Sequence, residues 1–246
     1  MDDFLYVAAS GARETMLAQA LNSNNMAHAG TTGFRADLAL ARSSYLSGDG
    51  LHSRVFGGLQ ASAVDFTEGT INATGRDLDV AINGAGWIAV LAADGSEAYT
   101  RRGDLRVNDL GQVTNGAGQA VIGESGPIAL PPYSELAVGV DGTLSIVALG
   151  DDPNSLVVAD TIKLVNPDRA LLHKGDDGLL RLPPGEQATP DENIRLLSGS
   201  LESSNVNTVG AMVRMIELAR QFETHVKIMD TAQQLDRSSA ELMRLT

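Results

Sequence analysis

The chain has 246 residues, 43% of them hydrophobic, and carries 31 acidic against 18 basic residues for a net charge of −13. Such a length and hydrophobic content support one large domain or two small ones, while the acidic balance argues against nucleic acid as a partner, since phosphate binding needs a basic surface. The absence of cysteine removes disulfides, zinc fingers, iron–sulfur ligation and thiol catalysis together.

Residues 2–29 read as a helix. Asp2 and Asp3 sit at the positive end of its dipole, and Leu5, Ala8, Ala9, Ala12, Met16 and Ala20 form a stripe of mostly small residues, with Leu17 and Leu21 alongside. Gly11 inside that helix costs about 1 kcal/mol relative to alanine, so the helix is expected to need outside packing. The run Ala8-Ala9-Ser10-Gly11-Ala12 would let another helix axis come close. The apolar cluster Phe4–Ala9 is shorter than a signal-peptide core and follows acidic residues where such a signal carries positive charge. Export, if it occurs, is expected to use a route that reads no cleaved signal. No run approaches the ~20 apolar residues of a membrane span.

Gly30 is expected to stop the helix, leaving a polar loop with Phe34 as its apolar anchor. From Ala36 to Thr70 no period emerges, and the many serines and glycines predict a long extended connector. Residues 71 to about 197 read as β. Leu78–Ile82 alternates, Trp87–Leu91 is a strand, and Asp94-Gly95, Asn115-Gly116, Asp141-Gly142 and Asp177-Gly178 are turn signals, with short strands expected at intervals of about ten residues. Pro127, Pro131, Pro132, Pro183 and Pro184 belong in loops or at sheet edges. The pattern predicts a compact all-β domain.

The last forty residues return to a helical period. Met212, Met215, Ala219, Phe222, Val226, Met229 and Ala232 form a stripe that Val209, Val213 and Ile216 widen. Ser203, Ser204, Asn205, Asn207 and Thr208 are capping candidates, and Glu217/Arg220, Glu223/Lys227 and Arg237/Glu241 are opposite charges at helical spacing. A helix from Thr208 to Met243 would be about 55 Å long at about 1.5 Å per residue. A globular part of about 130–160 residues is only about 35–40 Å across. The helix is therefore expected to overhang its own domain, with the weak N-terminal helix as its natural partner.

Catalytic and cofactor motifs fare poorly. Gly84-Ala85-Gly86-Trp87-Ile88-Ala89 fits a relaxed dinucleotide fingerprint, but a phosphate site needs a helix to start there, and the sequence after Gly86 reads as strand. His28, His52, His173 and His225 show no metal-ligand spacing, and His225, on or beside the C-terminal stripe, reads as a packed histidine. The pairs Asp151/Asp152 and Asp176/Asp177 could form a hydrolase dyad, but both lie in turn-like contexts that favour solvated acids. The expectation is a non-enzyme with no cofactor, metal or small-molecule substrate.

Five runs resemble the bacterial flagellar rod and hook proteins. Asn24-Asn25-Met26-Ala27-His28 with Thr32-Gly33-Phe34 is similar to the family's Asn-Asn-Leu-Ala-Asn…Thr-x-Gly-Phe signature, with His28 where asparagine is usual. Thr74–Trp87 and Tyr99-Thr100-Arg101-Arg102-Gly103-Asp104-Leu105 resemble the family's Thr-Gly…Leu-Asp-x-Ala-Ile and Tyr-Thr-Arg-x-Gly motifs, and Phe66–Thr70 its lead-in to the β-rich part. Gly199–Asn207 with Met215-Ile216-Glu217 and Arg220–Glu223 is similar to the C-terminal signature. These runs stand in the family's order and at its distances.

The resemblance implies an α+β subunit whose N- and C-terminal helices pair as a coiled-coil-like layer around an export channel, with the β domain outside. The expected divisions are 1–35, paired with 205–246; an extended connector 36–70; and a β-rich domain 71–204. Size and the opening Tyr6–Ala12 favour the proximal-rod type, with a distal-rod or hook-type axial subunit as the alternative. An extracytoplasmic coiled-coil/β binding module forming a finite oligomer is the alternative of another class. The family implies self and neighbouring rod proteins as partners, passage through the flagellar type III export apparatus and a place in the periplasmic rod. Leu5, Ala8, Ala12, Met16, Asn24, Asn25, Met26, Phe34, Met212, Met215, Ala219, Phe222, Val226 and Met229 are the expected subunit-interface residues. Phe4, Leu5, Tyr6 and Val7 are a candidate export signal, with simple packing as the other reading.

Overall fold

A computed structural model describes residues 2–45, 55–150, 152 and 155–244, and the side chains of 5–39, 63–150, 152 and 155–238. The chain divides into two compact units. One comprises residues up to His28, Ala36–Asp65 and Val206 onward; the other comprises Ala29–Arg35 and Phe66–Asn205.

The first unit contains α1 (Asp2–Ala27), β1 (Asp37–Tyr45) and β2 (Val55–Val64). In the second unit follow β3 (Ile71–Ala73), β4 (Val80–Asn83), β5 (Trp87–Leu91), β6 (Glu97–Thr100), β7 (Leu105–Val107), β8 (Val113–Asn115) and β9 (Ala120–Val121). Then come β10 (Tyr133–Val138), β11 (Thr143–Ala148), β12 (Val157–Thr161), β13 (Leu164–Val165), β14 (His173–Lys174), β15 (Leu180–Arg181), β16 (Arg195–Ser198) and β17 (Ser200–Glu202). The last element, α2 (Thr208–Arg244), returns to the first unit. The architecture is α+β.

α1 and α2 lie side by side and antiparallel: the Asn22 side-chain amide donates to the Ala211 carbonyl at 2.8 Å, and a Cβ built on Gly11 would stand 2.5 Å from His225 Cε1. At Gly11 the half-buried imidazole of His225 fills the space a side chain would take. On α2, Ala211, Leu218 and Ala232 are buried, and Met215, Ala219, Phe222, His225, Ile228 and Met229 are half-buried. On α1, Ala8, Ala12, Thr15 and Asn22 are buried. These positions form the seam along which the two helices meet. The stripe read from sequence mixes this seam with a second face, because Met212 and Val226 are rotated off it and exposed. Asn207 Oδ1 accepts from the Gly210 N–H at 2.9 Å and caps α2. α2 has 37 residues against 26 in α1, about 16 Å more at about 1.5 Å per residue, so its C-terminal end outruns its partner.

Two local expectations fail. Residues 36–70 were expected to be irregular, yet β1 and β2 pair antiparallel from Asp37↔Val64 to Tyr45↔Val55, with a register shift between Ala39 and Ala41. Serine, alanine and glycine leave no alternation to read, but backbone pairing does not need one. Gly30 is not the left-handed stop. α1 ends at Ala27, the His28 N–H still bonds the Asn24 carbonyl at 3.1 Å, and the left-handed glycine of this loop is Gly33 (φ 66°).

In the second unit the strands run β14-β15-β6-β5-β9-β8-β7 across the main sheet, with β13 also pairing β5, and β10-β11-β12 form a three-stranded meander. β16 pairs β4, and β17 pairs β3. The first four residues of β5 are buried, both faces included, which is why Trp87–Val90 reads as a continuous apolar run. Val80, Ile82, Ile88, Val90, Leu105, Val113, Val121, Ile128, Leu144, Ile162 and Leu196 make one core. Each such side chain contributes about 1.5–3 kcal/mol by leaving water.

Candidate functional site

Two places could carry function, one in each unit. In the first, the helices leave apolar side chains uncovered on the sides they turn away from each other. On α2, Val209, Met212, Val213 and Ile216 occupy adjoining positions opposite the seam, each more than half exposed. On α1, Tyr6, Val7 and Met16 are more than half exposed, and Leu5 and Leu17 more than a third. Further along α2 the same outer face carries Glu223, Lys227, Asp230 and Gln234, so the apolar patch is confined to its first turns. An exposed apolar surface of this kind is a candidate interaction site.

The expected interface residues divide between seam and surface. Ala8 and Ala12 are buried, Met215, Ala219, Phe222 and Met229 are half-buried toward the seam, and Leu5, Met16, Met212 and Val226 are exposed. Asn25 Nδ2 donates to the Asp37 carbonyl and its Oδ1 accepts from the Asp37 N–H, both at 2.8 Å, so this asparagine ties α1 to β1. Met26 is half-buried beside it, and Asn24 is exposed. Of the candidate export segment, Leu5, Tyr6 and Val7 are exposed, and the Phe4 side chain lies outside the described residues. Asn22 was missed; a polar residue on a weak stripe gives no sign that it bonds the partner helix.

In the second unit, three of the runs that carry the family resemblance meet around one carboxylate. Glu202, on β17, accepts at Oε1 from the Gly69 N–H at 2.8 Å and at Oε2 from Arg101 Nη1 at 3.0 Å. Arg35 Nη2 lies 2.6 Å from Oε1, an ion pair without the alignment of a hydrogen bond. All three charged side chains are almost wholly buried. Trp87 stacks with both cations, the Arg101 and Arg35 guanidinium carbons standing 5.1 and 5.7 Å from its ring centre. Burial pushes the Arg101 pKa down, and the Glu202 charge opposes that shift. Close backbone approach makes the junction possible. A Cβ on Gly33 would collide with the Arg101 carbonyl, and one on Gly69 with the Ser203 carbonyl. Phe34 is buried as expected, with Lys174 Nζ 3.9 Å over its ring. Sequence reasoning placed Arg101 and Glu202 in motifs, and Arg35 directly follows one, but nothing local put them in contact, since they are far apart along the chain.

A cleft of about 560 Å3 includes Glu97, Asp141, Lys163, Asp191 and Glu192 in its wall. Three of its acids are already engaged. Glu97 is bridged to Lys163 at 2.8 Å, Asp141 accepts from the Thr143 hydroxyl and amide, and Asp191 closes its own turn with Asn193. Those hydrogen bonds from Thr143 hold the Asp141 carboxyl below the usual range, the opposite of what a general acid needs. After Gly84 (φ 86°) and Gly86 (φ 135°) the chain enters β5, so these glycines form a turn and no helix N-terminus faces an anion there. His225 packs on Gly11, while His52 and Asp151 lie outside the described residues.

Comparison with known proteins gives matches over both units. Residues 81–146 match the family described as flagellar hook protein FlgE/F/G D1 domain, and residues 197–242 match the flagellar basal body rod FlgEFG protein C-terminal family. The flagellar basal-body rod protein FlgF of Escherichia coli K12 is 41% identical over 237 residues, 94% of each chain. FlgF of Salmonella typhimurium LT2 is 38% identical over the full length of both chains. The rod protein FlgG of Caulobacter vibrioides is 32% identical over 97% of this chain and 98% of its own. With identity this high over nearly the whole length, the chain belongs to the FlgF family of flagellar basal-body rod proteins.

Proposed function

We propose that this rod subunit joins its neighbours through the outer faces of α1 and α2, which pair as a coiled-coil-like layer and propagate a helical assembly around the export channel. Family membership makes the chain a structural component of the flagellar rod, located in the periplasmic part of the basal body. The observation that carries the finer reading is the exposed cluster Val209, Met212, Val213 and Ile216 on the side of α2 away from α1. Surfaces of this type are heterologous: the patch on one subunit meets a different patch on the next, so the contact repeats without closing. The seam between the two helices supports a coiled-coil-like layer, and α2 outruns α1, leaving its end available for a neighbour.

The proximal rod is the position this reading takes, supported by the higher identity to FlgF relatives (41% and 38%) than to the FlgG relative (32%). Partners are further copies of this chain and adjacent rod proteins, and the exposed Leu5–Val7 segment is available to a type III export apparatus before assembly. The reading is of a structural protein, as its relatives are named, and Glu97, Asp141 and Asp191 in the large cleft are committed to an ion pair and to turns. Among the described residues no helix is long and apolar enough to cross a membrane.

Complementation tests the reading. In a strain lacking the gene, Ile216→Asp is expected to yield a folded, exported subunit and no flagella. Normal flagella carrying Ile216→Asp together with Met212→Asp would overturn it.

A further inference from the structure

The chain contains two Asn-Gly steps, Asn83-Gly84 and Asn115-Gly116, and the second unit holds them in opposite ways. In such a step the backbone nitrogen of the glycine can reach the side-chain amide carbon of the asparagine, because glycine puts no Cβ in the path. At Asn115 both reacting groups are held. The residue is 2% exposed, its Oδ1 accepts from the Ala117 and Gln119 N–H groups at 3.0 Å each, and its Nδ2 donates to Gln119 Oε1 at 2.6 Å. Gly116 is wedged so closely that a Cβ on it would collide with the Asp104 carboxylate.

Asn83 is the last residue of β4 and is exposed. Among the described residues neither its side-chain amide nor the Gly84 N–H has a hydrogen-bond partner. The turn also has room: Gly84 has φ 86°, a Cβ on it would meet nothing within 4 Å, and Ala85 is exposed. Gly84 is tethered at its carbonyl, which accepts from Arg101 Nη2 at 2.6 Å, and not at its nitrogen. We propose that Asn83 is a self-modifying site, converting to aspartate and isoaspartate in the folded subunit while Asn115 stays intact. The Gly84 nitrogen attacks Asn83 Cγ, the Cγ–Nδ2 bond breaks, and Nδ2 leaves as ammonia with the proton that Gly84 gives up. Water then opens the resulting succinimide at either carbonyl, so a carboxylate replaces a neutral amide. Arg195, exposed, is the partner of Asn83 across β4 and β16, so the new charge arises on the strand beside a cation. The isoaspartate branch lengthens the backbone between the buried Ile82 and the turn into β5.

Full-length protein is aged in mildly alkaline buffer, then digested in acid, which halts the reaction, and the peptides carrying Asn83 and Asn115 are weighed. The Asn83 peptide should gain the mass difference between a hydroxyl and an amino group many times faster than the Asn115 peptide, in two forms that separate on chromatography. Isoelectric focusing of the intact protein should show the same conversion as a new band shifted by a single negative charge, running with Asn83→Asp. Asn83→Gln, whose amide carbon stands one bond further from Gly84, should lack that band. In urea, where Asn115 loses its hydrogen bonds, the two peptides should convert at similar rates, which assigns the native difference to the fold. Native Asn115 converting as fast as Asn83 would overturn the assignment. So would an Asn83 that stays intact in the native protein while the urea-treated chain converts, or an acidic band that persists in Asn83→Gln.

Discussion

Replacing Glu202 by glutamine keeps the shape of the side chain and removes the charge that two buried guanidinium groups share. The carboxylate meets three donors, Arg35 Nη2 at 2.6 Å, Gly69 N–H at 2.8 Å and Arg101 Nη1 at 3.0 Å, and a glutamine must turn its amide NH2 toward at least one of them. Breaking a buried ion pair by removing one partner costs about 3–5 kcal/mol. For a unit of this size each kcal/mol moves the melting temperature by about 2–4 °C, so the loss should be about 6–20 °C. Arg35→Met, by contrast, removes the surplus cation and leaves the Arg101–Glu202 pair intact, so it should cost only about 1–2 kcal/mol from the lost stacking on Trp87 and packing. Unfolding in urea followed by Trp87 emission measures both. The reasoning is refuted if Glu202→Gln lies within about 1 kcal/mol of the parent, or if Arg35→Met proves the more damaging of the two.

Other consequences can be tested separately. Burial pushes the Tyr99 phenol up to about 12, with the Ala188 N–H opposing and the Glu97 charge reinforcing the shift. Because its folded pKa lies above its unfolded value of 10.0, Tyr99 contributes stability that is fully present below pH 10.0 and lost as pH rises through about 12. Ultraviolet titration should find one of the four tyrosines ionising late, together with unfolding, and four ionisations near pH 10.0 would contradict this. Gly11→Val should destabilise the helix pair by about 1–3 kcal/mol through collision with His225, and His225→Ala should restore much of it. Helical circular dichroism on heating reads both, and an unchanged melt in the single variant would rule out close approach at Gly11. Phe222→Asp places a charge on the seam and should expose both helices to limited proteolysis in the subunit, whereas Ile216→Asp should leave them as resistant as the parent.

Local signals in the sequence located the long elements because each has a strong local cause. The spacing of α1 and of α2 placed both within a few residues, and Asp94-Gly95, Asp141-Gly142 and Asp177-Gly178 marked turns whose glycines adopt φ of 81°, 89° and 79°. At Asn115-Gly116 the turn was real but its left-handed residue is Gly118. What escaped was set by tertiary contact. Whether Met212 or Leu218 faces α1 depends on the register that Gly11, His225 and Asn22 impose, and a hydrophobic stripe wide enough for two partners does not disclose which edge meets which. β1 and β2 are held by backbone pairing, and the serines, glycines and alanines among their residues blur any period. The Glu202 junction joins residues as distant as 35, 101 and 202, and a charged residue beside an apolar run reads as solvated until its partners are seen.

The central claim is that the outer faces of α1 and α2 are covered in the rod, and the absence of cysteine makes it directly measurable. Ile216→Cys is introduced and its reaction with a maleimide followed in the purified subunit, in isolated basal bodies and in basal bodies dissociated by denaturant. The account predicts rapid labelling of the free subunit, strong protection in the intact basal body and recovery on dissociation. Equal labelling rates in free subunit and intact basal body would mean that this face meets water in the rod, and that neighbouring subunits join elsewhere.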